Sequence, residues 1–481
     1  MWSFGMSRRA ALSGLGAFAV AGSASAREVG AIVERIAPLT NAERNGVIAA
    51  LSALDGEGLR PSDYGLDVLR GGGGDARAAW LAAGSHMLRG KTDAVKVEPD
   101  WTAPRRADDL VAAFDRARST QTLESSLASL APKQPSYASL REELRRLLQA
   151  GRGSFTRVSS GPALKLGMAG MRVEQLQTRL AELGYAPASP LGQLDESTAD
   201  ALKAFQLEAG LEADAVAGPS TLAALNRDLS DRIATVRANM ERWRWLPDDL
   251  GARHLRVNIA GFSVQAWESG EVARVHSAIV GKPFRATPVF SETVRYLVLN
   301  PWWEVPPSLA RVDKLPLFKR DPGAVSRLGY QVLDGAGNRV SDVDWNAVPS
   351  GRMPYRLRQA PGPLNALGQV KIMFPNRHNV YLHDTPDRGL FARQARAFSS
   401  GCVRTQHPID LSEWLLRDTP GWDRTRIDAA LAGGKETRVD LANRVPVHIL
   451  YFTAISDGTG AVRYLDDIYN RDGRLLAALD A

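Results

Sequence analysis

From residue 28 to about residue 149, apolar residues recur three and four positions apart, the period that lays a stripe along an α-helix. Helices are expected at 39–44, around 110–114 and after Pro135, the last with Leu140, Leu144, Leu147 and Leu148 as its stripe. A Gly/Ser/Pro-rich break follows at 151–154 and 159–162, the composition of a linker. Helical spacing resumes from 166 to 226. Val173, Leu176, Leu180 and Leu183 share one face, then Thr198, Leu202, Phe205 and Gln206 another, and a short helix at 218–225 is expected to take a serine or threonine as its N-cap. A further helix is expected from Arg232 to Leu246, with Met240, Trp243 and Trp245 near its end. Beyond it the period drops to two. Short runs at 255–259, 262–267, 272–280, 296–300, 369–374, 380–383 and 447–452, separated by glycine-containing turns, predict strands of a sandwich or barrel-like domain. Residues 306–362 interrupt that pattern, and insertions of this length inside a compact domain are commonly functional lids.

The 481 residues allow two to four domains. A net charge of +7 suits an acidic partner, such as a wall polymer with free carboxylates. The positive charge is dispersed and no nucleic-acid motif is present, so nucleic acid is not the expected partner. At the N-terminus Arg8 and Arg9 precede an apolar run at 10–20 and a small-residue site at Ala24-Ser25-Ala26. This is the pattern of a cleaved signal peptide over 1–26, with the general and the twin-arginine routes both open. The run is too short for a permanent anchor, and a periplasmic protein without a stable membrane span is expected.

The one cysteine, Cys402, lies in Ser399-Ser400-Gly401-Cys402-Val403-Arg404, downstream of Tyr381-Leu382-His383-Asp384. A lone thiol in an exported chain has no internal disulfide partner and is either buried filler or a reagent. Gly401 allows a tight turn around the sulfur, Arg404 places a cation nearby, and His383 is the base candidate. Histidines are scattered and no metal-binding spacing occurs, so neither metal nor cofactor is expected.

Two sets of motifs resemble known families. "VEQLQTRLAELGY", "LDESTADALKAFQLEAGL" and "AGPSTLAALN" look like the three-helix peptidoglycan-binding module. "NPWWEVPPSLA", "LRQAPGPLNALGQVKIMFPN", "VYLHDTP", "RAFSSGCVR" and "VPVHILYFTA" resemble the L,D-transpeptidases, specifically the large Gram-negative type with a binding module and a lid. The resemblance implies a multidomain α+β protein. Its parts would be a helical scaffold at 27–150, a peptidoglycan-binding module at 163–227, a β-rich catalytic domain at 252–455 with its lid at about 306–362, and a C-terminal extension at 456–481. It also implies an acyl transfer on peptidoglycan without a cofactor. Cys402 would take the acyl group of a tetrapeptide stem as a thioester with loss of D-alanine, and a stem amine would accept it in a 3→3 crosslink. Carbapenems would acylate the same sulfur.

Within that scheme His383 is the general base, and backbone N–H groups around Gly401 and Cys402 are oxyanion donors, with Ser400 supporting the loop. Tyr381 orients substrate or histidine, and Arg404 either binds a substrate carboxylate or holds the loop. Asp384, beside a turn proline, is expected to cap backbone N–H groups more readily than to complete a triad. The family pattern Ser-His-Gly-Cys is Ser-Ser-Gly-Cys here, which leaves His383 as the base. Water as acceptor, a lipoprotein lysine as acceptor, and a non-catalytic wall-binding scaffold are the alternatives; the last would be marked by loss of Cys402 or His383, and both are present.

Overall fold

The computed structural model describes residues 33–150, 156–188, 191–456 and 460–481; the leader expected at 1–26 and the linker residues 151–154 lie outside them. By its contacts the chain forms two units, Met1–Asp248 with Phe452–Ala481, and Asp249–Tyr451.

In the first unit the helix Asn41–Ser52 begins at a reciprocal cap. Thr40 accepts from the Glu43 amide and Glu43 accepts from the Thr40 amide, satisfying two donors that a helix start leaves orphaned. Helices Ala76–Arg89, Leu110–Ser119 and Pro135–Ala150 follow and bury Trp80, Phe114, Leu140, Leu144 and Leu147. Leu148, the fourth member of the expected stripe, is exposed, because one helical step turns it about 100° from Leu147. Helices Met171–Glu182, Glu196–Glu208 and Pro219–Leu225 close around Val173, Leu176, Leu180, Leu202, Phe205 and Leu222. The third has Gly218 as N-cap with no side-chain cap, which corrects the expected serine or threonine. Pro219 at its first position leaves one fewer orphan N–H at that start and presets the helical φ.

The next helix, Leu229–Arg244, starts ahead of the expected Arg232 because Asp228 and Asp231 form a capping box. Near its end Arg244 is fully buried and pairs with the equally buried Glu241 at 3.0 Å, while Trp243 stacks on Phe452 at 4.7 Å. The segment expected as an extension from 456 packs into this unit. The paired strands Ala454–Ser456 and Val462–Tyr464 and the helix Asp472–Asp480 lie here, and Asp472 meets Arg242 at 2.6 Å.

The second unit is built on β1 (Arg253–Asn258), β2 (Ser263–Glu268), β3 (Glu271–Gly281) and β4 (Phe290–Leu299). After β5 (Trp303–Glu304), β6 (Tyr330–Leu333) and β7 (Arg356–Gln359) come β8 (Val370–Met373) and β9 (Leu382–His383). β10 (Ala397–Ser399), β11 (Val403–Thr405) and β12 (Thr437–Leu450) complete it. The main sheet runs β10-β3-β11-β9-β8-β4-β12-β1-β2, and β2 pairs again with β3. That last pairing closes eight strands into a ring, so of the two expected architectures the barrel is the one formed.

Alternation sorts the faces. Val370, Ile372, Leu382 and Val403 are fully buried with Leu255, Val257, Leu297 and Val447 in the core. Lys371, Tyr381, His383, Cys402 and Arg404 fall on the opposite phase and so face the other way. The insertion lies in this unit with a core of its own. A three-stranded sheet β5-β7-β6 and short helices enclose Phe318, Tyr330, Trp345 and Leu357, and Tyr381 packs against that core. Trp303 is one of its buried members, while Trp302 carries the Arg358 guanidinium 4.5 Å from its ring centre.

Candidate active site

Cys402 occupies the turn between β10 and β11, and the turn is held from within. Ser399 Oγ donates to the Cys402 carbonyl at 2.5 Å and accepts the Gly401 N–H at 3.1 Å. Thr287 Oγ1 donates to the Gly401 carbonyl at 2.9 Å and accepts the Gly281 N–H at 2.9 Å. Gly401 sits at φ +116°, where a side chain is strained, so its place in the loop is conformational. Its N–H is already donated to Ser399, which leaves the Cys402 N–H as the loop's donor for an oxyanion. Ser400 accepts a hydrogen bond from Arg285 at 3.1 Å, and Arg285 pairs with Asp313 of the insertion at 2.6 and 2.8 Å. Ser400 therefore links the cysteine loop to the inserted segment.

Register brings the other groups beside the thiol. In the parallel pair of β9 and β11, Arg404 lies opposite His383 and Val403 opposite Leu382. Across β8 and β9, Lys371 lies opposite His383. The half-buried Cys402 points its thiol at the Asn379 carbonyl, 3.6 Å away. Tyr381 hydrogen-bonds the sulfur through both its backbone and its phenol. The Tyr381 ring meets the His383 ring edge-on at 5.6 Å and carries the Lys371 ammonium 4.2 Å from its centre.

His383 is buried, and its Nδ1 lies 2.6 Å from the Asp384 carbonyl. A carbonyl only accepts, so Nδ1 carries the hydrogen and Nε2 keeps a lone pair, the tautomer a general base requires. The Asp384 carboxylate is used elsewhere. It accepts the Gln369 N–H at 2.9 Å and faces Arg388 at 3.5 Å. Asp384 thus orients His383 through its main chain and caps backbone with its side chain. His378 packs on Phe290 at 5.1 Å, and His407 is exposed at a helix start.

Lys371 is the site residue that the sequence reading missed. Its only signal was a lysine alternating with Val370 and Ile372 in an otherwise apolar strand, and it marks the chemical face as surely as they mark the core. Arg404 pairs with Asp387 at 3.2 Å through Nη1, while its Nε is buried without a hydrogen bond. That guanidinium therefore has donors to spare for an acceptor brought by a ligand.

The electrostatics oppose a resting ion pair. Burial pushes the Cys402 thiol up, against hydrogen bonds from Tyr381 and the charges of Lys371 and Arg404. Burial, then Arg404 and Lys371, pull His383 down to about 3. At neutral pH the site therefore holds a thiol and a neutral imidazole. Alkylation of Cys402 by iodoacetamide, readable by intact mass since the chain has one cysteine, is expected to rise steadily with pH. A plateau between about pH 5 and 8 would instead reveal a preformed thiolate–imidazolium pair. The same shift acts on stability. Between the unfolded value of about 6.5 and the folded value of about 3, the unfolded chain binds the proton and the folded one does not. His383 consequently weakens the fold as pH falls through that window and is without effect above it.

Gly368, at φ +59°, lies against Asp384; a β-carbon there would stand 2.3 Å from its Oδ2. Gly368→Ala is expected to displace Asp384 and, with it, the carbonyl that holds His383. Overpacking of this kind costs about 1–3 kcal/mol, measurable as a fall in Tm together with slower catalysis although residue 368 carries no reacting group.

Among the described residues no three His, Cys, Asp or Glu side chains gather where they would hold a metal ion. No helix among them is long and apolar enough to cross a membrane.

Comparison with known proteins gives three domain matches. Residues 252–428 match the L,D-transpeptidase catalytic domain (YkuD), residues 170–225 the "Putative peptidoglycan binding domain", and residues 37–144 the scaffold domain. A Haemophilus influenzae protein described as "Putative L,D-transpeptidase" is 38% identical over 239 residues, 49% of this chain and 48% of that one. A Bacillus licheniformis "Probable N-acetylmuramoyl-L-alanine amidase" is 36% identical over 105 residues, 21% of this chain and 28% of that one. The chain thus spans half or less of the length of the curated relatives it matches. Among solved structures, the L,D-transpeptidase of Xylanimonas cellulosilytica aligns at 16% identity and TM-score 0.20, covering 61% of this chain and 99% of that one. An L,D-transpeptidase from Mycobacterium smegmatis aligns at 14% identity and TM-score 0.21, covering 41% and 58%. By its domain matches, the chain carries a YkuD-family L,D-transpeptidase catalytic domain, preceded by scaffold and peptidoglycan-binding domains.

Proposed function

We propose that this protein is a peptidoglycan L,D-transpeptidase that forms 3→3 crosslinks through a Cys402 thioester. The observation that carries the reading is the shared face of the neighbouring strands β9 and β11. It presents the chain's single thiol, a neutral histidine with a free Nε2, and a guanidinium with unused donors. Cys402 Sγ attacks the carbonyl of the third stem residue as His383 Nε2 takes the thiol proton. The Cys402 N–H faces the developing oxyanion. The bond to the terminal D-alanine breaks, and the proton passes from His383 to its departing amine. An amine of a second stem then attacks the thioester, His383 takes its proton, and sulfur leaves to be reprotonated.

A base held near 3 is weak in the free site. A stem carboxylate bound at Arg404 offsets one of the charges that depress it, so the donor itself brings His383 nearer to its working range. Asn379 holds the thiol hydrogen in the free site, and a χ1 rotation of Cys402 redirects it; catalytic hydrogen bonds commonly tighten only once substrate is bound. The insertion, linked to the cysteine loop by Asp313, Arg285 and Ser400, acts as a lid that keeps water from the thioester. The protein acts in the periplasm after export, with peptidoglycan as both donor and acceptor and no cofactor.

Incubating the protein with purified, tetrapeptide-rich wall and analysing the fragments by mass spectrometry tests the reading. Crosslinked dimers and one D-alanine released per crosslink are expected. D-alanine release without dimers would make water the acceptor, and neither product would refute the acyl-transfer chemistry.

A further inference from the structure

Away from the barrel, the first unit contains a cavity of about 420 Å³, within the range that holds small ligands. Its walls come from four stretches of chain: the helix Pro135–Ala150, the module's helices, the helix Leu229–Arg244 that carries Arg232, and the C-terminal hairpin. Aromatic rings supply the apolar surface. Tyr185 and Phe205 meet edge-on at 5.8 Å, and Tyr464 has the guanidinium groups of Arg227 and Arg232 at 5.7 and 5.4 Å from its ring centre.

Arg232 is the unusual member. Its Nε is buried without a hydrogen bond, and among the described residues the side chain makes no hydrogen bond or ion pair. The nearby acids are committed to other groups. Glu143 takes Arg146 at 2.7 Å and the Tyr464 hydroxyl at 2.7 Å. Glu182 takes Thr156 and Arg179, and Glu208 takes the Tyr185 hydroxyl. Asp466 lies 3.9 Å from Arg227. Burial holds the Arg232 guanidinium below the ordinary arginine range, so the fold bears a cost for keeping it there. A guanidinium presents five donors in a fixed fork that suits a carboxylate. The lining mixes five carboxylates with four guanidinium groups, which suits a zwitterionic ligand that brings both a carboxylate and an ammonium.

We propose that this cavity is a second peptidoglycan site, in which Arg232 takes a carboxylate of a stem peptide and Tyr464, Tyr185 and Phe205 cover its carbon framework. Carboxylates of the mixed-charge rim then face the stem's free amine. Because the walls include Tyr464 and Glu143, recognition belongs to the module together with the scaffold helix and the hairpin, and not to the module alone. The proposal rests on the peptidoglycan reading above for the identity of its ligand.

The test uses the full chain carrying Cys402→Ser, so that bound stems are not consumed, and titrates it calorimetrically with a soluble disaccharide–tetrapeptide. Two sites are expected. Arg232→Met should remove one of them or weaken it about tenfold or more, as loss of a charge-assisted hydrogen-bonded pair does. Its Tm should stay level or rise, since a partly buried charge without an ion pair has been replaced by an apolar chain. Arg232→Lys, which keeps the charge without the fork, should weaken the same site less. Amidation of the peptide carboxylates should mimic Arg232→Met, and the disaccharide without its peptide should leave the site empty. In the chain with an intact Cys402, Arg232→Met should leave carbapenem acylation of the thiol unchanged. Equal binding by Arg232→Met, equal binding of the amidated ligand, or a fall in Tm shared by both Arg232 variants would overturn the proposal. Failure of acylation in the unsubstituted protein would instead count against the transpeptidase reading.

Discussion

Crosslinking by Cys402→Ser is expected to fall by about 10³-fold or more, to the level left when a nucleophile is removed and only binding remains. The sulfur is the group that can be deprotonated in this site. Even a thiol held above its usual range is a far stronger acid than an aliphatic hydroxyl, and a base near 3 cannot activate serine. The change is small and the turn does not depend on it: Ser399, Thr287 and Gly401 hold the loop through backbone and hydroxyl contacts. Tm and sedimentation with insoluble wall should therefore match the unsubstituted protein. Dimer formation in the tetrapeptide-rich wall assay, followed against time, is the measurement. Retained crosslinking would mean that the nucleophile has been misassigned.

His383→Ala should cost about 10²–10⁴-fold in acyl transfer, the usual worth of a positioned base. The side chain also packs edge-on against Tyr381, so part of any loss could come from a displaced phenol. Iodoacetamide separates the two. Alkylation needs the thiolate but no base positioned toward an acceptor amine, and the resting thiol is held by Asn379 and Tyr381. The alkylation rate should change far less than the transfer rate. An equal loss in both would assign His383 to holding a thiolate in place. Rescue of transfer by added imidazole, which fits the space left by the ring, would support the base role.

Helix-period spacing identified the scaffold and the three-helix module, because a stripe that must be buried leaves its signature in every turn. Exposure of Leu148 and the proline start at residue 219 show the resolution of that signal, which sees a face but not its edge or its cap. Period-two runs likewise located the central strands. They missed β10 and β11, which are three residues each and too short to show a period. They also missed the first half of β12, where the register shifts between Asp440 and Val445.

Cys402 and His383 were legible because one thiol in the chain and one histidine in its motif are chemically conspicuous. Their neighbours were not. Lys371 joins the site because β8 pairs with β9, and Arg285 because the insertion's Asp313 reaches it. Asp384 orients His383 by its carbonyl, an atom every residue has, so no side-chain pattern announces it. The sequence by itself determined the residue types, the periods and the one reactive sulfur, since these are properties of composition and local geometry. Only the tertiary structure decided which strand edges meet, which proton His383 carries and which charges bear on it. Those depend on groups far apart in the chain being brought within a few ångströms out of water, where burial and pairing, not residue identity, set the chemistry.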